Sequence, residues 1–251
     1  MIDLIRNEFA SPDASAEFES ALSGAPNNYQ SAFRFLHARK GQDAANHIVR
    51  SAVWTALDAK NWPSELPPDL TDREADAAAC TTLERYSSAW HLPTAVNAFG
   101  QLLVDCSDTF GRTVLTTNFD PLIAVSISRH GGRHFRTVLH SDGALGQTAA
   151  EGTHIVHLHG YWYGADTLHT PQQLTLPRPQ LAQSLTHILR DSTLVVVGYG
   201  GWDDVMTQAL IQIVRDSSSN SEIMWAFHDN EHDRIANSNK QLLTRILHQR
   251  S

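Results

Sequence analysis

Residues 112–121 read RTVLTTNFDP, a β-branched apolar run that ends in polar residues and a proline. Runs of this composition are typical of strands. Four more follow along the chain: FRTVLH at 135–140, HIVHLH at 154–159, TLVVVGYG at 193–200 and EIMWAF at 222–227. Amphipathic segments with helical spacing, such as 180–189 and 205–214, lie between them. Apolar strands that alternate with helices predict an α/β fold with a doubly wound, Rossmann-like parallel sheet covered on both faces.

The first 110 residues have the pattern of helices instead. Apolar residues recur at helical spacing from Ile48, and a second helix is expected over about 75–90. The proline-rich segment 61–73 between them predicts a loop. A third helix is expected after Pro93, with a stripe that reaches Phe110 and a glycine cap at Gly111. We therefore expect one domain over 1–251, mainly helical over 1–110 and with the parallel sheet over 111–251.

Composition excludes several classes of protein. A chain of 251 residues with 41% hydrophobic residues can bury a large core. Its net charge of -8 disfavours binding to a nucleic-acid backbone, although a few backbone N–H groups can still hold a small phosphorylated ligand. Cys80 and Cys106 are the only cysteines, so a four-cysteine zinc site is excluded. No signal peptide or membrane-length apolar run is present, so we expect a soluble, cytoplasmic protein.

Three of the expected strands end in unusual polar or glycine residues. The first leads into Asn118-Phe119-Asp120, the third ends in His159-Gly160, and the fourth ends in a glycine-rich turn over 198–204. Ligands of open parallel sheets bind beyond the carboxyl ends of the strands. The sequence therefore predicts that these three segments converge on one cleft at this edge.

Each of these motifs also has a purely structural interpretation. Asp120 before Pro121 fits a helix cap followed by proline in the first turn, and Asp204 fits the cap of the helix that follows it. The glycines after the fourth strand fit a tight turn with positive φ. Asn118 either makes a local turn or holds a ligand, and we favour the ligand.

The histidines raise the question of a metal site. Strand alternation places His157 and His159 on one face, where such a pair can bind a metal. Metal hydrolases need a third and usually a fourth ligand, and residues 161–164 supply none. His169 or Asp166 would complete a site only by chance geometry. For His157 a structural, hydrogen-bonded role is therefore the favoured interpretation.

In this order, the segments Thr116-Thr117-Asn118-Phe119-Asp120, Leu158-His159-Gly160 and Gly198-Tyr199-Gly200 resemble the sirtuin-like domain. The Thr-Thr-Asn-Phe-Asp version, with a later Gly-Tyr-x-x-x-Asp, looks like the bacterial branch that hydrolyses NAD as an effector of anti-phage defence. The resemblance covers roughly residues 30–230.

The resemblance implies an NAD hydrolase that releases nicotinamide and ADP-ribose, with NAD as substrate and no zinc. It implies Asn118 and His159 as the catalytic pair. The residues that it implies in NAD binding are Thr117, Phe119, Asp120, Gly198, Tyr199, Gly200 and Asp203. Because Asn118 and His159 follow strands, we expect their substitution to leave the fold intact.

Two departures from the family pattern shape this prediction. Deacylating sirtuins carry a four-cysteine zinc ribbon that this chain cannot build, which favours a hydrolase over a deacylase. The family's opening strand and Gly-Ala-Gly-x-Ser phosphate loop also have no counterpart, because no apolar strand precedes Ser23-Gly24-Ala25-Pro26. Either this chain starts downstream of that loop or this member has lost it.

Other functions remain open at this point. The chain could be a sensor that binds NAD or ADP-ribose without turnover, or a scaffold, and a metal-dependent hydrolase or deacylase is less favoured. An NAD hydrolase needs restraint, so we expect a homo-oligomer or a fused or separate sensor protein as partner. Trp54, Trp62 and Trp90 are candidate interface residues, with core packing as the favoured role for at least two of them.

Overall fold

A computed structural model of the chain describes residues 1–110, 112–139, 141–146, 151–190, 192–201, 204–216, 220–227, 229–240 and 243–244. The chain divides into two compact units. The first comprises Met1–His140 with Thr148–Thr170, and the second comprises Ser141–Gln147 with Pro171–Ser251. No helix among the described residues is long and apolar enough to cross a membrane.

The first unit begins with five helices. They are α1 (Ile2–Asn7), α2 (Pro12–Leu22), α3 (Asn28–Trp54, kinked at Gly41), α4 (Ala77–Arg85) and α5 (Thr94–Asp105). Ser11, Asn27 and Asp76 cap α2, α3 and α4, because each side chain accepts the N–H of the residue three positions on. Ser23–Pro26 follows helix α2, so no strand precedes it.

Two of the expected helix ends are wrong. The helix expected over 75–90 ends at Arg85 and is followed by a 3₁₀ turn at Ser87–Ala89. The helix after Pro93 ends at Asp105, so Phe110 lies outside it, and Gly111 lies outside the described residues. Apolar residues keep helical spacing beyond Arg85 and Asp105. The two helices nevertheless end there, and the backbone N–H groups of Tyr86 and Cys106 donate their closing hydrogen bonds.

The tryptophans of the helical part contribute to its core. Trp90 is buried, and its Nε1–H donates to the carbonyl of Leu83 at 2.9 Å. Trp54 and Trp62 are partly buried against the same core, with ring centroids 5.9 Å apart. Core packing, the favoured role for at least two of these residues, is therefore confirmed.

A three-stranded parallel sheet completes the first unit. Its strands are β1 (Thr113–Thr116), β2 (His134–Val138) and β3 (Thr153–His157), in the order β1-β3-β2. Helix α6 (Leu122–Arg129) connects β1 to β2 and packs against α5. All five residues of the central strand β3 are buried, as the continuous apolar run predicted.

The second unit also alternates helices and strands. Its elements are α7 (Pro171–Leu174), α8 (Pro179–Leu189), β4 (Thr193–Val197), α9 (Val205–Arg215), β5 (Glu222–Ala226) and α10 (His232–Ser238). Strands β4 and β5 pair in parallel, with Val195 beside Met224. The α/β fold with parallel strands is thus as predicted. Val195, Val197 and Met224 of this pair are exposed.

Candidate functional site

Strands β1 and β3 deliver two of the polar motifs to one edge of the sheet. The strands are adjacent and parallel, with Thr116 beside His157, and the N–H of Leu158 donates to the Thr116 carbonyl at 2.9 Å. Asn118 and His159 each follow this pair by two residues. Both motifs therefore begin at the carboxyl edge of the sheet.

The loops beyond the two strands are joined directly. The N–H of Trp162 donates to the carbonyl of Phe119 at 3.0 Å, and Nδ1 of His157 lies 2.9 Å from the carbonyl oxygen of Asn118. A carbonyl only accepts, so Nδ1 of His157 carries the proton. The ring is 2% exposed, and burial lowers its pKa to about 4 against the smaller opposing effect of this bond. His157 is therefore a neutral, hydrogen-bonded structural histidine.

The residues of the first motif differ in exposure. Asn118 is exposed, and its N–H donates to Oγ1 of Thr116 at 3.0 Å, which makes a local turn. Thr117 is half-buried and Phe119 is buried. Asp120 accepts the N–H of Leu122, the first residue of α6, at 3.0 Å, while Pro121 occupies the N-cap position. Burial raises the pKa of its carboxyl, and this hydrogen bond partly opposes the rise.

His159 is buried far more deeply than a strand end suggests. Its residue is 2% exposed, and its carbonyl accepts the N–H of Leu168 at 2.8 Å. Gly160 follows with φ +98, and a Cβ at this position would lie 2.0 Å from the carbonyl oxygen of Asp166. The expectation that substitution disturbs packing little fits the exposed Asn118 but is wrong for His159. The chain after the strand folds back over the histidine and buries it.

The family model of the SIR2-like domain matches residues 112–247, which is more than half of the chain. The chain belongs to the SIR2-like domain family. No curated protein matches the sequence. The sirtuin-like resemblance is thereby confirmed, and the family links the chain to NAD-dependent chemistry. The match covers the sheet part and begins at Arg112, so the helical first part lies outside it.

A partly buried ionic cluster contacts the loop that follows His159 in this SIR2-like domain. Glu84 of α4 accepts the hydroxyl of Tyr161 at 2.6 Å and Nε1–H of Trp162 at 2.8 Å, and it pairs with Arg136 of β2. Arg136 also donates to the hydroxyls of Tyr161 and Tyr163. Glu84 and Arg136 lie 52 positions apart in the chain, so the sequence carries no local signal of their contact.

The third predicted motif of the SIR2-like domain lies in the second unit. Gly198 and Gly201 have positive φ, as expected for a tight turn. The hydroxyl of Tyr199 donates to Oδ1 of Asp204 at 2.6 Å, and that carboxylate also caps α9 by accepting the N–H of Thr207 at 3.0 Å. The capping role of Asp204 is therefore confirmed.

Other assignments in this motif stay predictions. Gly200 belongs to the described turn, whereas Asp203 lies outside the described residues. The cleft predicted for this turn together with Asn118 and His159 stays a prediction, as does the single domain over 1–251.

Among the described residues of this SIR2-like domain, no group of three or more histidine, cysteine, aspartate or glutamate side chains is placed to hold a metal ion. Nδ1 of His157 faces the Asn118 carbonyl and not a shared point with His159. Cys80 is buried, and burial raises the pKa of its thiol to about 11. The histidine-pair metal site has no support in this geometry.

Proposed function

We propose that the chain is an NAD hydrolase that cleaves NAD into nicotinamide and ADP-ribose, with His159 and Asn118 as its catalytic pair. One observation carries the proposal. In a chain of the SIR2-like family, β1 and β3 pair in parallel and end together at Thr116 and His157, two residues before Asn118 and His159. A scaffold has no physical need for that pair.

The reaction breaks the bond between C1′ of the ribose and the pyridinium nitrogen of nicotinamide. Nicotinamide takes the bonding electrons and leaves as a neutral molecule, so no general acid is required. The transition state resembles an oxocarbenium ion, as in glycoside hydrolysis. Water forms the new C1′–O bond and gives a proton to His159, whose imidazole acts as the general base.

The remaining predicted residues bind and orient NAD in this proposal. Asn118, exposed at the edge of the sheet, positions the water or the ribose without adding charge. Asp120 stiffens the loop through its bond to Leu122. Thr117 and Phe119 complete this side of the site, and the ribose and adenine side is assigned to Gly198, Tyr199, Gly200 and Asp203.

The burial of His159 supports a gated site. A general base must reach its substrate. His159 is only 2% exposed, so its ring has no open path to a bound ribose. An NAD hydrolase without restraint would also drain its own cell. We therefore propose that assembly with other copies, or contact with a sensor protein, opens the site, and that the chain serves as an effector in anti-phage defence.

The cleavage test uses purified chain, NAD and a chromatographic measurement of free nicotinamide. Asn118→Ala and His159→Asn are expected to lower the rate by about 100-fold or more, since each removes a group that acts on the reacting atoms. His154→Gln is the matched control, because His154 is buried on the same strand but bonds to Thr137. Full nicotinamide release by folded Asn118→Ala and His159→Asn proteins would place the chemistry elsewhere.

The gating test measures molecular mass and turnover over a range of protein concentration. Turnover per chain should rise as oligomers form or as the partner is added. A strictly monomeric chain with full turnover at every concentration contradicts the gating proposal but leaves the hydrolase proposal standing.

The same burial favours a second candidate function, a module that binds NAD or ADP-ribose without turnover. Calorimetric titration with each ligand separates the two candidates. Saturable binding with no nicotinamide release at any protein concentration supports the binding module, whereas release that depends on Asn118 and His159 supports the hydrolase.

A further inference from the structure

His169 lies where the two catalytic loops meet. The residue before it, Leu168, donates its N–H to the carbonyl of His159 at 2.8 Å. On another side, the ring of His169 contacts Phe119, with centroids 4.7 Å apart. Phe119 is the neighbour of Asn118 in the chain. His169 thus belongs to the segment that is bonded to His159, and its ring contacts the loop that carries Asn118.

Aromatic rings of α3 hold the imidazole in place. Phe33 stacks on it with centroids 3.6 Å apart and an interplanar angle of 9°, and Tyr29 lies beside it at 5.9 Å. His169 is 1% exposed. Because its faces are packed, the ring cannot change its rotamer without moving α3 or the loops.

A chain of hydrogen bonds determines which ring nitrogen of His169 carries the proton. Oδ1 of Asn46 accepts the backbone N–H of Thr167 at 3.0 Å and its hydroxyl at 2.9 Å. The Thr167 hydroxyl, having given its proton to Asn46, accepts Nε2–H of His169 at 2.8 Å. Nδ1 of His169 is then the acceptor for the hydroxyl of Tyr29 at 2.9 Å. The order of donors along this chain gives a neutral Nε2–H tautomer.

The electrostatic surroundings of His169 keep its ring neutral. Burial lowers the pKa of His169 to about 3, and the neighbouring His159 lowers it as well. A neutral ring beside the proposed base matters, because a second positive charge there would oppose the proton that His159 accepts during the reaction. The second half of α3 holds the same segment, since Nε2–H of Gln42 donates to the carbonyl of Thr167 at 2.9 Å.

We propose that His169 is a positioning residue: through its bonds to Tyr29 and Thr167 and its contact with Phe119, it holds the His159 and Asn118 loops in register with helix α3. This inference rests on the proposed NAD hydrolysis, because positioning has meaning only if that pair is catalytic. It also assigns a role to the helical part, which lies outside the matched SIR2-like segment. A shift of α3 would move both loops together.

The test compares three variants in NAD cleavage, with kcat and KM measured separately. His169→Phe keeps the ring stack and removes both hydrogen bonds, so kcat should fall by about 10- to 100-fold while KM changes less than about twofold. His169→Gln restores a donor towards Thr167 and should recover part of kcat. Tyr29→Phe should lower kcat less than His169→Phe. Tyr86→Phe is the matched control, because Tyr86 bonds to Glu65 away from the loops.

A double variant separates positioning from general support of the fold. Tyr29 acts through His169, so Tyr29→Phe combined with His169→Phe should be no slower than His169→Phe alone. A merely structural role would reduce the folded fraction in both variants and leave kcat per folded molecule unchanged. Unchanged kcat in folded His169→Phe overturns the proposal, as does a fully additive double variant.

A nuclear magnetic resonance measurement tests the tautomer without relying on activity. Nitrogen-15 spectra of the imidazole rings, assigned with His169→Gln, should show His169 as neutral Nε2–H from pH 8 to about 5. A protonated ring or an Nδ1–H tautomer in that range overturns the inference even if the wild type cleaves NAD. Wild-type chain that shows this tautomer but releases no nicotinamide at any protein concentration refutes the proposed function instead, and the positioning role falls with it.

Discussion

Lowering the pH from 7 to 5 should destabilise this protein through two histidines that burial keeps neutral. The pKa of His157 is lowered to about 4 and that of His169 to about 3, against an ordinary value of 6.5. In both, burial is the larger cause. Below pH 6.5 the unfolded chain therefore binds protons that the folded chain does not bind. Stability is fully present above pH 6.5 and falls as the pH drops towards the folded-state pKa values.

The size of the loss follows from these pKa values. At pH 5 an ordinary histidine is almost fully protonated in the unfolded chain, whereas His157 and His169 remain mostly neutral when folded. Each should cost about 2 kcal/mol of unfolding free energy between pH 7 and pH 5, or about 4 kcal/mol together. That is a large share of the roughly 5–15 kcal/mol by which proteins are stable. Burial also lowers the pKa of His134 and His154. These two residues contribute equally to the pH dependence of stability in the wild type and in the variants.

The assay is urea unfolding at several pH values between 5 and 7, followed by circular dichroism. His157→Asn and His169→Gln each remove one titrating ring, so each should flatten the dependence of stability on pH by nearly one proton. Their absolute stabilities are set aside and only the slopes are compared. The control is His232→Gln, because His232 is almost fully exposed. A wild-type slope near zero over this range, or full slopes in both buried-site variants, would refute the reasoning.

Three further outcomes are expected from the contacts that hold the site. His157→Phe should cost about 1 kcal/mol of stability and lower nicotinamide release, because it removes a buried donor to the catalytic loop, and His157→Asn should restore much of both. Gly160→Ala should cost about 2 kcal/mol or more of stability, because the added Cβ would clash with a backbone carbonyl. Gly164 also has positive φ but faces open space, so Gly164→Ala should lose less stability in thermal unfolding. Glu84→Gln should cost about 1–3 kcal/mol by weakening its charged hydrogen bonds, while the exposed Glu65→Gln should cost far less; equal losses in urea unfolding would contradict this expectation.

The local pattern of residues was enough to predict the elements that carry the site. Apolar β-branched runs predicted all five strands in the described part of the chain. The polar residues that end β1 and β3 were expected at the carboxyl edge of a parallel sheet. The cap formed by Asp204 was also predicted, because capping depends on neighbours within one helical turn. Strand type, caps and motifs depend on interactions between residues close in sequence, so the sequence by itself determined them.

Only the tertiary structure decided how these residues are held. The burial of His159 comes from a loop that folds back over its strand, and the bond of His169 to Tyr29 joins residues 140 positions apart. The ion pair of Glu84 with Arg136 likewise links a helix to a strand 52 residues away. Spacing and propensity carry no trace of such contacts, because they depend on how complete elements pack.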